Sequence, residues 1–189
     1  MLTITTDYIR DLIEALEKNP EVNYETQHII TAGNGYDTVM LDCYDKIYSY
    51  KLTISDSVEI LIIKSYGGYK VGEIILPSTI KTIELRGISF YTSECDTIRE
   101  EISRDGDRNL VIPRLPVNLI LDDCSLNVTD EEYYNFSSYT SLSINNLDWH
   151  TFSSDEYPAS SRDLFYNEIV PYLISKSPTA TFEEDTFEQ

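Results

Sequence analysis

Apolar and polar positions along this chain repeat with a long period. Aliphatic and aromatic residues recur as Φ-x-x-Φ-x-Φ-x-x-Φ-x-Φ, from starts at Tyr36, Val58, Ile80, Pro116 and Tyr139. The successive starts are separated by steps of 22, 22, 36 and 23. Of 25 template positions, 22 are aliphatic, aromatic or Cys, where a hydrophobic content of 41% would supply about ten. The exceptions are Lys46, Gly68 and Pro116. A period of this length predicts a solenoid, in which each unit must stack on a neighbour to bury its apolar face.

A second register runs four positions ahead of four of the starts, at Ala32, Ile54, Leu76 and Ile112, with Ile30, Leu52, Ile74 and Leu110 two positions earlier. These predict short extended segments at His28–Ala32, Lys51–Ile54, Glu73–Leu76 and Asn109–Ile112. Leu76-Pro77-Ser78-Thr79 and Ile112-Pro113-Arg114-Leu115-Pro116 read as the turns between the two strands of a unit, because proline fixes φ and removes a ladder donor. The long step of 36 is a unit carrying an insertion near 92–108. There Asp96 is expected to cap a helical turn with Ile98 and Ile102 on one side, ended by the loop Arg104-Asp105-Gly106-Asp107.

Helices are expected at both ends. Ile9, Leu12, Ile13 and Leu16 share one face, Thr5 or Thr6 can cap them, and Pro20 follows. After Trp149 the period stops. A helix from Ser160 or Ser161 would carry Leu164, Phe165, Ile169, Tyr172 and Leu173, with Pro171 as a kink. Thr129-Asp130-Glu131-Glu132 reads as a capping box. The chain is thus expected to be one domain over residues 1–175: an N-terminal capping helix assigned to 1–20, with its helical pattern at 6–18, repeats over 29–150 and a C-terminal helix over 160–175. An acidic tail at 176–189 is expected to be loosely ordered.

Within the repeats, Leu119-Ile120-Leu121-Asp122-Asp123-Cys124-Ser125-Leu126 matches L-x-L-x-x-[N/C]-x-L at every specified position. Ile83–Phe90 and Leu142–Trp149 match apart from the Asn/Cys position, and Tyr44 and Tyr66 fill that position in the first two units. The lead-ins Ile74–Ile80 and Ile54–Val58 are similar to an I-P-x-S-V stretch. Residues 29–150 therefore resemble leucine-rich repeats of the short FNIP and BspA-like type. The resemblance implies an α/β repeat fold, a small β-rich leucine-rich-repeat-like solenoid with capping helices. It would hold about five repeats with a period of about 22–23. It also implies a protein-binding task for the sheet face. The L-x-L strands would turn Met40 and Asp42, Ile62 and Lys64, Glu84 and Arg86, Ile120 and Asp122, and Ser143 and Asn145 outward.

Charge changes this picture. The net charge is −19. Residues 1–45 sum to −7, residues 46–114 to zero and residues 115–189 to −12. Sequence order in a solenoid is spatial order, so both ends should be negative. Such a field repels nucleic acid and attracts a basic protein surface. It also serves solubility alone. Tyr133, Tyr134, Tyr139, Trp149 and Tyr157 lie among the C-terminal acids; Tyr139 and Trp149 occupy template positions and are expected in the core.

Candidate chemistry is sparse. Cys43, Cys95 and Cys124 are irregularly spaced and read as reduced thiols of a cytoplasmic protein. His28 and His150 have no neighbours at metal-ligand spacing, and Gly33-Asn34-Gly35 follows a strand without opening a helix, so it reads as a turn. No stretch approaches the ~20 apolar residues of a membrane span. The chain is expected to be non-enzymatic, with no cofactor and no bound metal. Its expected partner is a protein with a basic surface, met through Lys64, Arg86, Asp122, Asp123, Asp130, Glu131, Asn145 and Asp148. The competing expectation is an acidic nucleic-acid mimic of the kind viral or mobile-element inhibitors use to block a nucleic-acid-binding protein. A third is a subunit that oligomerises through an exposed solenoid end.

Overall fold

The computed structural model describes residues 1–18, 28–43, 50–64, 73–102, 108–127, 135–150 and 165–184. They form a β-rich solenoid of about four turns with few helices. Its front sheet is parallel, in the order β1 (Leu2–Thr5), β3 (Thr38–Asp42), β5 (Ile60–Lys64), β7 (Thr82–Arg86), β11 (Asn118–Asn127) and β12 (Ser141–His150). Its back sheet starts with β2 (His28–Ala32), β4 (Tyr50–Ile54) and β6 (Glu73–Ile75), also parallel. Then come β9 (Thr97–Ile102), β10 (Arg108–Pro113) and β8 (Ser89–Ser93), the last of which joins the end of β11.

The strands follow the predicted registers. Residues one period apart stand opposite each other, Val39 by Leu61 and Leu61 by Ile83. Alternate side chains of both sheets meet in one core: Val39, Leu41, Leu61, Ile63, Ile83 and Leu85 from the front, Ile30, Leu52, Ile54, Ile74, Leu110 and Ile112 from the back. Every described template position is buried except Tyr36 and Pro116. Tyr139 is among the buried ones, and its hydroxyl donates to the Pro113 carbonyl at 2.9 Å. Trp149 lies in β12, but its side chain is outside the described residues.

The turn at Gly33 needs glycine. Its φ is +92°, and an added Cβ would come within 2.8 Å of Val39 Cγ2 and 2.9 Å of Val58 Cγ2. Gly33–Tyr36 is a hydrogen-bonded turn, Tyr36 N–H to Gly33 carbonyl at 3.0 Å, and Ser57 of the next unit braces it by donating to the Gly33 carbonyl at 2.9 Å.

Three expectations change. The first is the start of the chain. Leu2–Thr5, ahead of the helix expected at 6–18, is a strand; Leu2 and Ile4 alternate with Thr3 and Thr5 and continue the front sheet in register with Val39 and Leu41. Helix α1 (Thr6–Glu17) follows, capped by Thr5, whose side chain accepts from the Tyr8 N–H. Ile9 is buried, and Tyr8, Leu12, Ile13 and Leu16 pack against the core.

The second is the insertion. Asp96 caps no helical turn, and Thr97–Ile102 is a strand. β9 runs antiparallel between β6 and β10 and supplies ladder partners to both. One helical turn closes a single hydrogen bond for three fixed residues, so the two-sided ladder wins. Only Ile98 is buried; Ile102 is 62% exposed. The loop at Arg104–Asp107 lies outside the described residues.

The third is the C-terminus. A π-helical turn at Phe165–Ile169 leads into α2 (Val170–Lys176). Pro171 lacks the N–H for an α bond back along the chain, so the expected kink takes the form of this change of helical register. Ile169 and Leu173 are fully buried. The tail does not leave the fold there: β13 (Phe182–Glu184) pairs with Leu147–Trp149 of β12. The Thr129–Glu132 capping box and the Ser160–Ser161 start lie outside the described residues.

Candidate functional site

The front face owes its geometry to the register of the repeat. Asp42 stands opposite Lys64, Lys64 opposite Arg86, Arg86 opposite Asp122 and Asp122 opposite Asn145. These form one column of outward side chains across β3, β5, β7, β11 and β12. A parallel column holds Met40, Ile62, Glu84, Ile120 and Ser143; of these Ile62, expected to be open on the outer face, is buried at 7% exposure. Adjacent strands lie ~4.8 Å apart, so each column is about 20 Å long.

Neighbouring residues bond along and across the column. Lys64 Nζ lies 3.7 Å from Asp42 Oδ2, and Arg86 Nε donates to Glu84 Oε1 at 2.6 Å. Asn145 Nδ2 donates to Asp122 Oδ1, and Asn146 Nδ2 donates to Asp123 Oδ1 at 2.9 Å. Surface ion pairs of this kind are worth ~0–1 kcal/mol each, so their effect is on the charge pattern more than on stability. The two cations stand in the middle, each beside an acid, and the carboxylates of Asp122 and Asp123 stand toward the C-terminal end.

Of the expected contact residues, the fold gathers Lys64, Arg86, Asp122 and Asn145 in one column, with Asp123 next to it. Asp148 lies beyond the corner of β12, between Ser125 of β11 and Glu183 of β13 in register. Asp130 and Glu131 lie outside the described residues.

Sequence reasoning misses the corner itself. Gly87, Asp123 and Asn146 have φ of 61°, 54° and 58° and occupy the same template position in three successive units. Glycine, Asp and Asn tolerate this left-handed conformation best. The signal that could have found it is the recurrence of those three residue types at one position of the repeat. Each corner bends the strand so that Cys124 and Leu147 turn back into the core.

The cysteines hold structural positions. Cys124 Sγ donates to the Leu85 carbonyl at 3.3 Å, and Cys43 Sγ to the Ile4 carbonyl at 3.6 Å. Leu85 and Ile4 occupy equivalent positions in the preceding strands, so both thiols satisfy the same carbonyl of the stack. Cys43 does so from one position earlier in its repeat than Cys124. Burial pushes both thiols up to about 11, which keeps them protonated and poorly nucleophilic. Burial raises Cys95 as well.

The back face carries its own charged network. Lys51 Nζ lies 2.7 Å from Glu73, and Thr97 donates to Glu73 at 2.9 Å. The bonds from Lys51 and then Thr97 hold the Glu73 carboxyl below the usual range. Arg99 donates to Glu101 at 2.8 Å, and Tyr91 donates to Glu101 as well; the Tyr91 bond is the main reason that carboxyl is lowered. The Thr97–Glu73 bond ties the inserted strand β9 to β6 and the Tyr91–Glu101 bond ties it to β8, while the Arg99–Glu101 pair lies within β9. Glu100 is the opposite case, since burial raises its carboxyl despite Arg108 at 3.7 Å.

Among the described residues, no three His, Cys, Asp or Glu side chains converge as metal ligands, and no helix is long and apolar enough to cross a membrane. No family model, curated protein or solved structure matches the chain.

Proposed function

We propose that this protein is a non-enzymatic binding module. It engages a basic surface of a partner protein through the front face of the solenoid and the acidic C-terminal half. The observation that carries this reading is the in-register column Asp42, Lys64, Arg86, Asp122 and Asn145, which ends beside Asp123. Regular spacing turns single charges into a patterned surface, and such patterns steer encounter and fix register. Residues 115–189, with a net of −12, supply the long-range attraction.

A leucine-rich-repeat-like organisation fits the last three units, where a left-handed corner precedes a buried Ile88, Cys124 or Leu147. In the same reading α1 and the α2 segment cap the two ends of the core. The mixed column favours a protein partner over the role of nucleic-acid mimic. Lys64 and Arg86 interrupt the carboxylates, whereas a phosphate backbone carries one unbroken sign.

The test is a capture experiment from the native cell. Bait carrying Asp122→Asn, Asp123→Asn, Asp130→Asn and Glu131→Gln should recover at least tenfold less of the partner than wild-type bait. Equal recovery removes this surface as the site. Displacement of the partner by duplex DNA would favour the mimic instead.

A further inference from the structure

The two ends of the stack are finished differently. At the C-terminal end, the chain returns to cover the edge of β12. The Ile144 N–H donates to Ser177 Oγ at 3.1 Å, the Asn146 N–H to Thr181 Oγ1 at 3.0 Å and the Leu147 N–H to the Thr181 carbonyl at 2.9 Å. Strand β13 continues this cover. At the N-terminal end, β2 is the last strand of the back sheet, and among the described residues it pairs with β4 alone.

The direction of the β2 amides follows from the ladder. Ala32 lies opposite Ile54, and the Ser55 N–H donates to the Ala32 carbonyl at 2.9 Å. In a parallel pair, alternate residues turn both backbone groups toward a given neighbour. Ala32, Ile30 and His28 therefore face β4, while Ile29 and Thr31 aim theirs the other way. Edge strands are usually blunted by Lys, Pro, a bulge or a covering helix or loop. His28-Ile29-Ile30-Thr31-Ala32 contains no Lys or Pro, and Ile29 is 58% exposed.

We propose that the β2 edge accepts an extended, lysine-rich segment of a partner protein as an added strand. Main-chain bonds to Ile29 and Thr31 supply the affinity, as in other cases of strand addition. Charge selects the occupant. The described residues of this end, 1–18 and 28–43, hold six acidic and two basic side chains, a net of −4. A second copy docking by its own β2 would bring two such regions together, whereas a basic segment meets the opposite sign. This edge belongs to the back sheet and is separate from the front column, so either site can fail without the other.

The test uses the full chain and three labelled ten-residue peptides. One alternates lysine and valine, one alternates glutamate and valine, and one is the lysine peptide N-methylated at every residue, so that neither of its edges keeps a donor. Fluorescence anisotropy should show saturable binding of the lysine peptide and none of the glutamate peptide. N-methylation, which keeps the charge and removes backbone donors, should weaken binding at least tenfold. Thr31→Pro should do the same, because it removes an amide that faces away from β4 and leaves the existing ladder intact. Thr31→Val retains the amide and should bind as the wild type does. Should Thr31→Pro fail to fold, the N-methylated peptide against wild-type protein still decides. Equal binding of the plain and N-methylated peptides overturns the proposal, and so does no binding of the lysine peptide. A dimer in light scattering that Thr31→Pro dissolves would also overturn it, since the occupant would then be a second copy.

Discussion

Asp123 serves two purposes. Its backbone turns the strand at a φ of 54°, and its carboxylate accepts from Asn146 on the next strand. The backbone duty sets which substitutions the corner accepts. Asp123→Val should cost about 1–2 kcal/mol or more in urea denaturation, because a β-branched residue is strained in the left-handed region. Asp123→Gly should stay within about 1 kcal/mol of wild type. Similar losses for both would remove the strain argument. Glu100 gives a prediction in pH. Burial raises its carboxyl, so the fold favours the protonated form. The stability it contributes is present below the unfolded pKa and is lost as pH rises through the raised folded value. Glu100→Gln should therefore raise Tm at pH 7, with the gain shrinking toward pH 4. A Tm gain independent of pH would point to packing instead.

At the level of elements, repetition decides what can be read from the sequence. The strands at 28–32, 50–54 and 108–113 are legible because each pattern recurs in step with its neighbours. The insertion occurs once, and Ile98 and Ile102 suit a helical face as well as a strand. What settles it is the pair of waiting edges on β6 and β10, which lie outside the segment's own sequence. The two isoleucines now separate. Ile98→Ala should cost about 2–5 kcal/mol, as for other fully buried aliphatic side chains. Ile102→Ala should stay within about 0.5 kcal/mol. Chemical denaturation of both variants checks this, and equal losses would contradict the difference in burial between the two positions. The tail departs from expectation for a related reason. Residues 177–184 are polar in sequence, but their hydroxyls and carbonyls are what the β12 edge needs.

Across the whole molecule, the period converts sequence into geometry. Charges one period apart become neighbours, which is how Asp42, Lys64 and Arg86 come to stand in line. The front column is legible for that reason, apart from the corner that presents Asp123. The placement of Asp148 beyond that corner is not, because it depends on the bend at Asn146. In the proposed reading, two negative ends around a neutral middle would make partner binding sensitive to salt, since exposed charges are screened over ~8–10 Å at physiological ionic strength. The direct measurement is the apparent Kd of the captured partner against salt concentration, for wild type and for the variant neutralised at Asp122, Asp123, Asp130 and Glu131. A steep loss of affinity with salt for wild type and a distinctly shallower slope for the variant is the predicted result. Parallel slopes would mean that the acidic end takes no part in binding.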